Sequence, residues 1–355
     1  MKPTQLKLAS MRRSIVRHRL FFAGVLLCLG VGSAVVVTLI PEPKTPSPPL
    51  PPVQDLTKQQ YEAAKKKYVT MAQQSDPKVA LSSIREAIKK DNGLLKVCHA
   101  VVHEIGHQAY IKYGDFGQAM KYQDEVCNSG YLHGIIEKHF EKSPDVFSAM
   151  QSVCEPYAAK KFMSWECYHG VGHGLMFYTA NDLPTSLSYC DKYANEFAAS
   201  ACKNGIFMEN FNANEESHPS KYLKKDDPSY PCANQTEVNK SDCYTYAPAN
   251  YLRLHPNQYK AALDWCNTVE TDYRDVCTSG LGSHAMKENN NNPRFTEDLC
   301  TTVTDRRRTR CLEGMVTMSI FHYGELSQTE TLCTKMKKSN QLLCHQVVEA
   351  NRYLF

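Results

Sequence analysis

Beyond its first twenty residues the chain carries no extended tract of lysine or arginine. The Arg306-Arg307-Arg308 run is short, and the formal charge over 355 residues is only +4. A protein that holds a polyanion carries a concentrated basic patch, so nucleic acid is excluded from the expected partners. Also missing is any pair of cysteines two to four residues apart, the spacing that cysteine-rich zinc modules favour. The span from Asp55 to Lys96 lacks strand-type runs. It reads instead as helix, in "TKQQYEAAKKKYVTMAQQ" and then "PKVALSSIREAIKK".

What is present first concerns the membrane. Lys2, Lys7, Arg12, Arg13, Arg17 and Arg19 precede an uncharged apolar run of 21 residues, Leu20 to Ile40. A helix of that length spans a hydrocarbon core of about 30 Å. The run ends "VVVTLIPEP", without the small-x-small exit of a cleaved signal. Cys28, in "VLLCLG", lacks the small residue before it that a lipidation site wants. The basic flank keeps residues 1–19 cytoplasmic and places the rest of the chain outside. A single-pass membrane protein with an extracytoplasmic C-terminal ectodomain is expected. Proline-rich residues 41–54 follow and favour polyproline II, a semi-rigid spacer. Residues 55–97 form a helical cap, and residues 98–355 a cysteine-rich body.

The other fourteen cysteines lie between Cys98 and Cys344, an even number beyond a membrane segment, which points to disulfides. Six pairs are closely spaced: Cys154/Cys167, Cys190/Cys202, Cys232/Cys243, Cys266/Cys277, Cys300/Cys311 and Cys333/Cys344. From Cys232 onward they recur every 34, 34 and 33 residues, a period that suits two helices and two turns. In Glu297 to Gly324, one short helix is expected to end near Cys300 and a second to begin near Cys311. Five units carry Cys-x-x-Gly, at Gly130, Gly170, Gly205, Gly280 and Gly314. Glycine inside a helix costs about 1 kcal/mol relative to alanine, so its recurrence at one register implies a close-passing backbone. The fold class expected is all-α: a disulfide-stapled α-solenoid of helical hairpins behind the transmembrane helix. Cys98 and Cys127 remain, and pair with each other.

Aligned on their second cysteines, three successive helices carry a pair of metal-ligand side chains four residues apart: His103/His107, His133/Glu137 and His169/His173. Residues four apart share a helix face, and stacking would bring the three pairs side by side. Later units replace the histidine by Met208, Ser283 and Thr317, although Glu209 can still edge toward the site. His255, His322 and His345 have no in-register partner and read as packing residues.

The string "HEIGH", His103 to His107, resembles over about ten residues the metal-binding helix of the zincin peptidases. That resemblance implies His103 and His107 as zinc ligands and Glu104 as the general base. The helical cap, in place of a preceding sheet, and Tyr110 and Tyr113, in place of the downstream histidine, depart from the pattern.

The functional expectation is a transition-metal site of His103, His107, His133, Glu137, His169 and His173, with Glu104 available for proton transfer. Zinc comes first, with iron or copper as alternatives. Such a site suits a metal-dependent hydrolase or oxygenase, and equally metal capture. A third reading is a solenoid scaffold whose concave face binds a protein or peptide partner. The spacings alone do not choose among the three.

Overall fold

A computed structural model of the protein describes residues 56–212, 220–289 and 292–355. The apolar run at 20–40, its basic flank and the proline-rich linker lie outside these residues. Among the described residues no helix is long and apolar enough to cross a membrane. Helices and turns account for the described residues, with no strand among them.

The cap forms two helices, α1 (Lys58–Gln74) and α2 (Pro77–Ile88). Thr57 and Gln60 close a capping box at the first, and Asp76 caps the second with proline at its first turn. Both arrangements satisfy amide groups that a helix start leaves without partners. Both helices pack on α3 (Asn92–Tyr113), capped by Asp91 and ended by Gly114 in the left-handed conformation.

After the short α4 (Phe116–Met120), long and short helices alternate, except where the long α9 is followed by the long α10. The long ones are α5 (Gly130–Lys142), α7 (Lys161–Tyr178), α9 (Glu196–Asn212), α10 (Glu237–Leu254), α12 (Arg274–Glu288), α14 (Asp305–Tyr323) and α16 (Lys338–Asn351). The short ones are α6 (Val146–Ser152), α8 (Leu183–Cys190), α11 (Tyr259–Trp265), α13 (Pro293–Cys300) and α15 (Leu326–Lys335). From α3 onward each long helix packs on the next long one. The later helices also return to the earlier ones. Phe321 of α14 lies 4.6 Å, ring to ring, from Trp165 of α7, and Phe355 stacks on Phe162 at 4.9 Å.

All seven expected cysteine pairs stand at disulfide distance, with Cα–Cα separations of 5.4 to 5.7 Å. One local expectation changes. The second helix of a hairpin begins before its cysteine, not at it: α14 starts at Asp305 and Cys311 lies six residues in. The same offset holds at Cys98, Cys167, Cys202, Cys243 and Cys344. Five of the six short-loop disulfides therefore tie the end of a short helix to the first or second turn of a long one, and in the sixth Cys232 opens a 3-10 turn before α10; all these cysteines are fully buried.

The recurrent glycines sit where backbones touch. A Cβ on Gly205 would land on the carbonyl oxygen of His169, and one on Gly314 on that of Ser279. Gly134 stands the same way against His103. At Gly170 the neighbour is a side chain, His133, with Cδ2 2.8 Å from the Cβ position.

Candidate metal centre

Close approach of α3, α5 and α7, which glycine permits, brings five imidazoles together. They are His99 and His103 from α3, His133 from α5, and His169 and His173 from α7. Their ring centroids lie 4.5 Å apart for His99/His103, 4.6 Å for His133/His173 and 4.9 Å for His169/His173. His133, His169 and His173 are buried and could hold a metal ion. In that trio, and in the trio His99, His103 and His133, one ligand atom from each residue lies within 4.8 Å of the others.

Three rings have their tautomer set by what their Nδ1 meets. His99 Nδ1 donates to the carbonyl oxygen of Cys127 at 2.7 Å. His103 Nδ1 donates to Glu137 Oε1 at 2.9 Å, and His173 Nδ1 donates to Glu209. These oxygens only accept, so each neutral ring carries its proton on Nδ1 and a lone pair on Nε2. The Nε2 atoms of His99 and His103 face one another at 3.0 Å. On the other side, His173 Nε2 lies 3.1 Å from His169 Nε2, which also reaches Met208 Sδ at 3.3 Å.

Two nitrogens bound tetrahedrally to one zinc ion, at about 2.0–2.1 Å each, stand roughly 3.3 Å apart. The paired Nε2 atoms are close to that separation. His133 sits in both trios with both ring nitrogens buried and without a hydrogen-bond partner. Orphaned buried nitrogens of this kind are rare in folded proteins. Burial pushes the His99, His133 and His169 imidazoles well below their ordinary pKa, and neighbouring imidazoles add to the effect. Neutral imidazole is the form that binds metal. Donor set, tautomers and protonation all fit a transition-metal ion.

A strained turn helps to build the site. Cys127, Asn128 and Ser129 have φ of 57°, 58° and 55°, left-handed in residues that are not glycine. Such a conformation costs roughly 1–2 kcal/mol per residue. It turns the Cys127 carbonyl toward His99 just before α5 begins, and the disulfide to Cys98 ties the turn down.

The expected residues divide between two layers. His103, His133, His169 and His173 lie in the cluster. Glu137 instead bridges His103 and His107, reaching His107 Nε2 at 2.6 Å. His107 Nδ1 lies 3.5 Å from Glu104 Oε2. Burial opposes the charge on His107, but bonds to Glu104 and Glu137 outweigh it and raise its pKa to about 9. His107 is thus an imidazolium between two carboxylates. Glu104 is partly exposed, and its hydrogen bond to His107 holds its pKa low.

Two participants lay outside the expected set. His99 was legible as the residue four before His103, but it follows its cysteine directly and falls out of the register shared by the other pairs. Met208 occupies the histidine position of the next unit and presents its sulfur to His169. Compared with family models, curated proteins and solved structures, the chain matches none. The reading of function therefore rests on the site's own geometry.

Proposed function

We propose that the protein binds a transition metal ion through His99, His103, His133, His169 and His173, on the outer side of a membrane to which residues 20–40 anchor it. One observation carries the metal reading. The Nε2 atoms of His99 and His103 face each other at 3.0 Å, each ring held there by an oxygen behind its Nδ1. Two neutral rings so held would set lone pair against lone pair, and a metal cation between them removes that repulsion. Acceptors behind the Nδ1 atoms are also the usual means by which proteins orient metal-bound histidines. An imidazole-rich set suits zinc or copper. Iron of the two-histidine, one-carboxylate type is disfavoured, because Glu137 and Glu209 are engaged at Nδ1 atoms. Seven disulfides support an oxidising compartment. The common six-residue cysteine register and the 33–34-residue recurrence support an α-solenoid of stapled hairpins as the scaffold.

A catalytic role, rather than capture alone, is favoured by the cavity that opens on His133 and His169. A metal with an accessible position can activate water or polarise a carbonyl.

Elemental analysis of the full chain, purified in detergent without chelator, tests the metal reading. Near-stoichiometric zinc or copper is expected. Replacing His103, His133 or His173 singly by alanine should weaken metal retention by more than the roughly 10–100-fold typical of losing an outer partner. His255→Ala and His345→Ala should leave it unchanged. A chain with less than about 0.1 equivalent of any transition metal, whose stability ignores added zinc or copper, would sink the reading, since binding to the native state must stabilise it.

A further inference from the structure

Beside the histidine cluster lies a cavity of 240 Å³ with two unlike walls. His133 and His169 form part of one, and three of their ring nitrogens are buried without a hydrogen-bond partner. The other is largely apolar, with Trp165, Met318 and Phe321. Trp165 is held in place on both sides: it stacks on His169 at 4.8 Å and meets Phe321 at 4.6 Å.

Lys287 of α12 completes the lining and is the one lysine or arginine in it. Among the described residues no ion pair reaches it. The nearby carboxylates are engaged: Glu209 by His173, and Glu288 by Lys96 and His284 at 3.8 Å each. Desolvation pushes the Lys287 ammonium below its ordinary pKa. The lining's one carboxylate does not compensate, because burial raises Glu166 to about 7. Glu288 and Glu209 act on the Lys287 ammonium without a direct ion pair and do not outweigh its desolvation, so an anion supplied by a ligand would relieve the remaining cost.

We propose that this cavity binds a small organic carboxylate, its anionic end on Lys287 beside the histidine cluster and its hydrocarbon body against Trp165, Met318 and Phe321. This deepens the metal reading by naming the class of molecule that sits next to the ion. The contact with Lys287 does not itself require the ion. A mostly apolar pocket with a few converging polar groups is the usual form of a small-molecule site.

The probes are 3-phenylpropanoate and its uncharged amide. Each is titrated into the full chain in detergent, followed by calorimetry and by the fluorescence of Trp165, with metal content measured on the same sample. The acid is expected to bind at least about tenfold more tightly than the amide. In Lys287→Met that preference should disappear while metal content stays unchanged, and in Lys287→Arg it should persist. Equal binding of acid and amide, binding of neither, or a preference that survives in a folded Lys287→Met chain would overturn the proposal. Should Lys287→Met fail to fold, the acid–amide comparison in the wild type decides alone. Repeating the titration after chelation separates the two readings. An acid preference in a chain that never held metal supports the Lys287 site and removes the metal centre. A metal-loaded chain without preference does the reverse.

Discussion

Glu137 performs two tasks with one carboxylate: it fixes the His103 tautomer and balances the charge on His107. Glu137→Gln should therefore keep the fold but present His103 less firmly. The expected outcome is a loss of metal affinity of roughly 10–100-fold, read by competition with a chromophoric chelator. Unchanged affinity would mean that His103 does not ligate. Glu166 allows a test by pH that does not depend on metal. Its folded pKa, raised by burial to about 7, exceeds that of an exposed glutamate, so between about pH 4.5 and 7 the folded state holds a proton the unfolded state has lost. Stability from this group is full below pH 4.5 and is lost as pH rises through 7. The loss is on the order of 3 kcal/mol for a shift of this size. Glu166→Gln should match the wild type near pH 5 and melt at a higher temperature at pH 8, in chelator-treated protein.

At the scale of the helix, glycine decides how near two axes come. Gly134 of α5 lies against the His103 backbone, and Gly314 of α14 against that of Ser279. Alanine at either position must push two helices apart, at a cost of about 1–3 kcal/mol or more. Their consequences should differ. Gly314→Ala should lower the melting temperature and leave metal content alone, because α14 carries none of the five histidines. Gly134→Ala should lower both, because it separates α5 from α3 and stretches the cluster. Gly117→Ala, where the Cβ meets nothing nearer than an Asp115 carboxylate oxygen at 3.4 Å, should be neutral or mildly stabilising. Equal metal loss in the Gly134 and Gly314 variants would argue that the histidines report general stability and not a local geometry.

For the whole molecule, the disulfides carry much of the stability. Closing loops of 11 to 13 residues contributes about 3 kcal/mol each on the chain-entropy model, and the 29-residue loop of Cys98–Cys127 somewhat more. Summed over seven, this exceeds the 5–15 kcal/mol net stability usual for a domain. Full reduction should abolish cooperative folding, visible as loss of the thermal transition in circular dichroism. Peptide mapping without reductant should return all seven pairs, and free thiols at several of these positions would remove the stapled-hairpin account. A chain ending before Cys154 should fold poorly, since it loses α7 and with it His169, His173 and the aromatic contacts to Phe321 and Phe355.

Cysteine spacing by itself determined the helical hairpins, the pairing of the fourteen cysteines from Cys98 to Cys344 and the glycine contacts. These follow from covalent proximity and helical period, and both are local. The same periodicity picked out four of the five clustered histidines. Tertiary structure decided the rest. It turned His107 toward Glu137 and Glu104, and drew in His99 through a left-handed turn at Cys127–Ser129 that no spacing announces. It also set Lys287, more than a hundred residues beyond His173, in the wall of the same cavity as His133 and His169. Which side chains meet across that distance depends on the angle each helix makes with the next. Those angles come from many packed contacts together and are written in no single stretch of sequence.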